Sequence, residues 1–411
     1  MRARLLLWMG LFTLVVGLGT GGCSSSAEIT TNPPPATSQP LVAEEVLRDD
    51  MRELWTQHVV WTRVFLMVAI EGLPDEPQAT ERLLQNQVDI GNAIKPFYGV
   101  AAGDELTALL TEHITGAVAV VDAAMAGDDA AFEAANAAWY DNAHEIAAFL
   151  ASANPNWDLA HMTAMMDAHL DYTLDEATAR LTGDWAADVE IYDTVKTQIL
   201  DMADMLTDGI VAQFPDLVSP PTMTPEEQGL HLAMRELWED HVIWTRVFLI
   251  GAIAGLPDVP FSTDRLLQNQ VDIGTAIKPF YGGPAGDELT ALLTEHILGA
   301  ADVLAAAMAG DEIAFEVANE AWYDNGYQIA QFLAAANPHW SLEELVDMMN
   351  EHLDLTLDEA TARLNADWEA DVSIYDAVEE EILMMADELS MGISMQFGHR
   401  PPVVGGGSVD Y

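Results

Sequence analysis

Six histidines in this chain end one short template, in which apolar residues at i, i+3 and i+4 are followed by histidine at i+7. Met51, Leu54, Trp55 and His58 set it, Leu106, Leu109, Leu110 and His113 repeat it, and Met162, Met165, Met166 and His169 repeat it again. His241, His296 and His352 close the same template further along the chain. Those four positions share one face of an α-helix, so each imidazole lies on an apolar stripe and is expected to be buried. Burial disfavours the imidazolium and leaves the neutral ring, the form that binds metals. Three imidazoles aimed at one point are a recognised ligand set for zinc, copper or iron. The cofactor these residues suggest is a divalent or transition-metal ion. Spacing does not show that the rings converge, and a competing reading has each histidine only closing a helical hairpin by a hydrogen bond.

For that hydrogen bond, or for a metal's outer shell, the sequence offers an aspartate on each following helix. These are Asp89, Asp141 and Asp193, then Asp272, Asp324 and Asp376. A second polar and aromatic group is kept between the two halves of the chain: Trp61, Thr62 and Arg63; Gln85, Asn86, Gln87 and Asp89; Lys95 and Tyr98; and Trp139, Tyr140, Asp141 and Asn142. Thr62 and Thr173 stand one turn beyond His58 and His169 on the same faces. From this group Thr62, Arg63, Asn86 and Tyr140, with Thr245, Arg246, Asn269 and Tyr323, are candidates to line a polar ligand pocket. The competing reading is a buried network that fixes helix register. Methionine pairs such as Met165-Met166, Met348-Met349 and Met384-Met385 are expected as core fillers, with a copper-thioether role as the alternative.

Other chemistry is poorly served. His144 becomes Tyr327 and His161 becomes Glu344 in the second half, so neither fits a role shared by both. His144-Glu145 begins like a zincin helix, but Ala148 stands where the second histidine belongs. The sequence contains no nucleophile elbow, Walker loop, dinucleotide fingerprint or calcium loop. With no nucleophile beside a base, binding is expected here and not catalysis.

The elements that must position these residues are written twice. Almost everything from Arg52 to Phe214 recurs from Arg235 to Phe397; the runs 82–91 and 103–114 return unchanged as 265–274 and 286–297. Apolar residues recur at helical spacing, which predicts an all-α fold. Helices are expected near 46–72, 79–98, 104–126, 129–153, 158–181 and 184–213, and again in the second copy. Asp104, Asp128 and Asp158 stand where N-caps or first-turn acids belong. Each histidine helix followed by a partner helix makes a hairpin, so each lobe is read as about six helices in three helical hairpins. The layout is a signal at 1–22, a tether at 23–44, lobes at 45–214 and 230–398, a linker at 215–229, and a tail at 399–411 expected to be disordered.

Charge and termini suggest an address. The net charge is −52, a field that repels nucleic acid and concentrates cations. Arg2, Arg4 and the apolar run Leu5 to Leu18 read as an export signal. Leu18 to Cys23 is similar to a bacterial lipobox, although the leucine lies further from the cysteine than usual. By that resemblance Cys23, the chain's one cysteine, is the lipidated first residue of the mature protein. The implied partner is a membrane held through the lipid anchor, and the location is extracytoplasmic.

The blocks Leu54 to Arg63 (LWTQHVVWTR) and Arg82 to Gly99 (RLLQNQVDIGNAIKPFYG), with their second copies, resemble small uncharacterised bacterial proteins of one-lobe size. The resemblance spans each lobe nearly end to end and implies the same six-helix unit. Some such proteins carry an acetylglutamate kinase label. That chemistry needs glycine-rich phosphate loops on an α/β sheet, and this sequence offers neither. The residues point to a lipid-anchored extracytoplasmic protein that holds a cation or transition metal. The rival is a structural or interaction module of the envelope.

Overall fold

The structure is a computed structural model and describes residues 42–398. The export signal, Cys23 and the tail 399–411 lie outside the described residues. What is described is almost wholly helical. In the first half come α1 (Glu44–Ile70), α2 (Glu76–Tyr98), α3 (Val100–Ala126), α4 (Asp129–Ala153), α5 (Leu159–Thr182) and α6 (Trp185–Gln213). The second half repeats them as α7 (Pro225–Ala254), α8 (Val259–Tyr281), α9 (Gly283–Ala309), α10 (Glu312–Ala336), α11 (Leu342–Leu364) and α12 (Trp368–Phe397).

Local chemistry explains the breaks. Asp128 and Asp158 cap α4 and α5 by accepting from the backbone N–H groups of Ala131 and His161, and Gly127 and Gly183 end α3 and α5 with φ of 64° and 73°. Asp104 is not a cap. Gly99, with φ 86°, turns the chain in a single residue, so α3 begins at Val100 and Asp104 lies inside it, paired with Lys95 Nζ at 2.7 Å. Only glycine adopts that conformation without strain.

Consecutive helices pack side by side, and α6 returns to α1, so each half closes into a ring of six. Histidine-bearing helices α1, α3 and α5 alternate with α2, α4 and α6. Where α2 meets α3 the backbones nearly touch: a Cβ on Gly91 would stand 2.6 Å from Gly103 O. By length and apolarity α3 and α9 could cross a membrane, but here they carry His113 and His296 on buried faces.

The two halves share a core. Trp61 meets Tyr375 edge to face at 5.8 Å, and Tyr192 meets Trp244 in the same way at 5.6 Å. Arg246 lies over Trp61 and Arg63 over Trp244, at 4.8 and 4.9 Å from the ring centres. Ion pairs cross reciprocally: Arg180 with Asp258 at 2.7 Å and Arg363 with Asp75 at 2.6 Å, then Arg265 with Asp193 at 2.8 Å and Arg82 with Asp376 at 2.9 Å. One junction breaks the symmetry. Lys196 is buried against Glu239 and Asp240, whereas its counterpart Glu379 is buried and accepts from Gln57 Nε2 at 3.0 Å.

The ends of the expected tether and linker are ordered. Residues Val42–Ala43 form β1 and Val218–Ser219 form β2, paired in parallel with Val42 opposite Val218. Helix α7 then starts at Pro225, with Thr224 and Glu227 forming a capping box.

Candidate metal centre

The three template histidines of each half converge. In the first half, ring centres are 6.3 Å apart for His58 and His113, 5.6 Å for His58 and His169, and 6.2 Å for His113 and His169. One ring nitrogen from each lies within 4.8 Å of the other two, and His241, His296 and His352 repeat the arrangement. All six are buried, with at most 4% of the residue exposed. The convergence follows from the ring of helices: α1, α3 and α5 each turn an apolar stripe inward, and each stripe carries its histidine at the same depth.

Burial sets the charge. Loss of water pushes His113 and His296 down to about 3 and His169 down to about 4, with neighbouring imidazoles adding repulsion at His113 and His296. His58 and His241 are lowered well below the ordinary histidine range by burial first, then by the other two rings. These five are neutral near pH 7, with lone pairs a cation can use.

Their partners are not the aspartates. Each histidine faces the residue 29 positions later: Gln87 for His58, Asn142 for His113, Gln270 for His241 and Asn325 for His296. Gln198 and Glu381 stand at the same interval from His169 and His352. Asn142 donates to Leu109 O and accepts from His113 Nδ1 at 3.2 Å, so the ring's Nε2 keeps its lone pair. Gln198 donates to Met165 O and leaves its carbonyl to His169, although neither Gln198 Oε1 nor His169 Nδ1 completes a well-aligned bond.

The six aspartates point elsewhere. Asp89 accepts from Gln85 and Asp272 from Gln268; Asp141 and Asp324 are exposed; Asp193 and Asp376 bind Arg265 and Arg82 across the halves. Helical geometry is the reason. At 3.6 residues per turn, Asp89 lies about 200° around α2 from Gln87, Asp141 about 100° from Asn142, and Asp193 about 140° from Gln198. The interval of 29 is constant in all six hairpins, where the aspartates follow at 31, 28 and 24, and this signal, leading to an amide in five hairpins and to Glu381 in the sixth, could have found the partners.

The expected polar pocket does not form. Thr62 and Thr173 donate to His58 O and His169 O, so methyls line a cavity of about 40 Å³ with Phe65, Ile114 and Trp139. Thr245 and Thr356 border the matching cavity of about 50 Å³. Arg63 is buried against Glu176 at 2.8 Å and Asp188 at 3.1 Å, Asn86 donates to Leu54 O, and Tyr140 donates to Asp171. Arg246, Asn269 and Tyr323 repeat these contacts with Glu359, Leu237 O and Asp354. They are joints between helices. Met166, Met349 and Met385 are core residues and Met384 is exposed.

The trios suit a metal ion in size and donor type. An ion at the centre of a triangle with 4.8 Å sides would be about 2.8 Å from each corner, so each nitrogen moves in by about 0.7 Å to reach a bond of about 2.1 Å. One further adjustment is needed at His58. Gln87 Nε2 has three acceptors for two hydrogens: Leu83 O at 2.8 Å, Asn86 Oδ1 at 3.0 Å and His58 Nδ1 at 3.2 Å. Among the described residues its own buried Oε1 has no partner, nor has Gln270 Oε1 in the second half. A turned amide would accept from His58 Nδ1–H and free Nε2 for the metal. Comparisons of this chain with family models, with curated proteins and with solved structures find no match.

Proposed function

We propose that the chain binds two transition-metal ions, one on each histidine trio, and does so outside the cytoplasm on a lipid anchor at Cys23. The observation that carries the metal reading is the meeting of three buried imidazoles within 4.8 Å, twice in one molecule. His58, His113 and His169 would hold one ion and His241, His296 and His352 the other, with Gln87, Asn142 and Gln198, and Gln270, Asn325 and Glu381, orienting the rings. Bound there, the ion would supply Lewis acidity or an open coordination position. The strongly acidic chain favours cation accumulation around it.

Packing of His113 against Trp139, with ring centres 5.3 Å apart, supports the rival reading of the trio as part of the core. Elemental analysis of the purified full chain, loaded with Zn(II) and exhaustively dialysed, separates the two. Two ions per chain are expected, one after His113→Ala, and none after His113→Ala with His296→Ala. Unchanged metal content in the double variant would overturn the site. For the anchor, Cys23→Ala should release the protein from membranes, and continued membrane association would refute lipidation.

A further inference from the structure

The two trios differ in what stands behind the third histidine. We infer that this difference makes the second trio a distinctly tighter site for a divalent transition ion than the first. The inference rests on the metal reading above.

Position for position, Gln198 of α6 corresponds to Glu381 of α12. The carboxylate is only 3% exposed, and its Oε2 lies 3.2 Å from His352 Nδ1. Among the described residues, neither of its oxygens has a well-aligned hydrogen bond from any group. The remaining partners behind the trios are uncharged amides: Gln87 and Asn142 in the first half, Gln270 and Asn325 in the second. A buried carboxylate with no donor but an imidazole is short of positive charge, and burying it alone is costly.

A divalent ion on the far nitrogen of His352 supplies that charge through the ring. In the first half the same ion is met by three neutral imidazoles and amides, so its charge is buried with no opposite charge in contact. A carboxylate behind a ligating histidine also holds the ring's orientation and strengthens it as a donor, and loss of such a partner costs roughly 10-fold to 100-fold in affinity. The second trio is therefore the carboxylate-backed site and the first the amide-backed one.

The test uses the full chain loaded with Zn(II) and titrated against a competing chelator. Two steps are expected, with the second ion lost at a free chelator level about 10-fold to 100-fold higher than the first. Glu381→Gln installs the side chain that the first half already carries at this place, and should merge the two steps at the weaker position. Gln198→Glu should move the weaker step towards the tighter one. A single step of two equivalent ions, or two steps that Glu381→Gln leaves in place, would overturn the inequality while leaving the metal reading intact. Absence of any retained zinc would overturn both.

Discussion

A histidine binds metal only without a proton on the coordinating nitrogen, and in the first trio the proton is kept off by burial. An exposed histidine with its ordinary value near 6.5 is mostly protonated at pH 5. His113, at about 3, and His169, at about 4, are not. Zinc on the first trio is therefore expected to survive dialysis at pH 5 and to leave between about pH 4 and 3; loss already at pH 6, with helicity intact by circular dichroism, would contradict this. The same depression works against the fold in acid. The unfolded chain takes protons below about 6.5 that the folded rings refuse, so their contribution is whole above that pH and shrinks as pH falls to about 3 to 4. At pH 5 this costs about 2 kcal/mol for each such ring. Glu176 and Glu359, raised to about 7 by burial against the pull of Arg63 and Arg246, work the other way between about 4.5 and 7. Asn142→Leu should weaken zinc at the first trio by roughly 10-fold to 100-fold, with the second trio in the same molecule as the unaffected reference in the chelator titration. The histidines were legible in the sequence because burial on one stripe is a periodic property. Their partners were missed because Asp89 and Gln87 are both polar and the choice depends on which side of α2 faces α1, which only the constant interval of 29 betrays.

At the scale of the elements, tight helix crossings hold the rings in register. Gly91 and Gly103 let α2 and α3 approach until a Cβ on Gly91 would lie 2.6 Å from Gly103 O and 1.9 Å from Thr107 Oγ1. Gly91→Ala should therefore destabilise the protein by about 1–3 kcal/mol, as overpacking does, read as a lower midpoint in chemical denaturation. Gly229, inside α7 with nothing within 4 Å of its added Cβ, is the control. Gly229→Ala should stabilise by roughly 0.5–1 kcal/mol through helix propensity, and equal losses for both variants would argue against the crossing. Helix number, order and most boundaries could be read from apolar periodicity and from Gly-Asp breaks such as Gly127-Asp128. The start of α3 could not, since Asp104 has the composition of a cap and only the single-residue turn at Gly99 places it within the helix. The β1 and β2 pair was equally hidden, because two residues carry no period.

At the scale of the whole molecule, the contacts between halves are self-complementary except where Lys196 of the first half is replaced by Glu379 in the second. Arg82, Asp193, Arg180, Asp75, Trp61 and Tyr192 all belong to the first half, and their counterparts in the second half complete each pair. Two first halves would bury Lys196 against Thr56 and Gln57 in place of Glu239 and Asp240. A fragment of residues 42–222 carrying Lys196→Gln, which removes that lysine, should therefore pair with a second copy of itself and sediment as a dimer, with Arg82 on the partner's Asp193 and Arg180 on its Asp75. A monomer in analytical ultracentrifugation would show that this surface is too weak without the covalent link. A fragment of residues 223–398 should not pair in this way. Its Glu379 would meet the Glu239 and Asp240 that hold Lys196 in the intact chain, and burial already pushes Glu379 well above the usual carboxylate range. The exchange of lysine for glutamate thus gives the two halves distinct, lock-and-key roles. With Glu239 and Asp240 on one side and Lys196 on the other, the second half cannot be exchanged for the first or stand as its own mate, so assembly needs one copy of each.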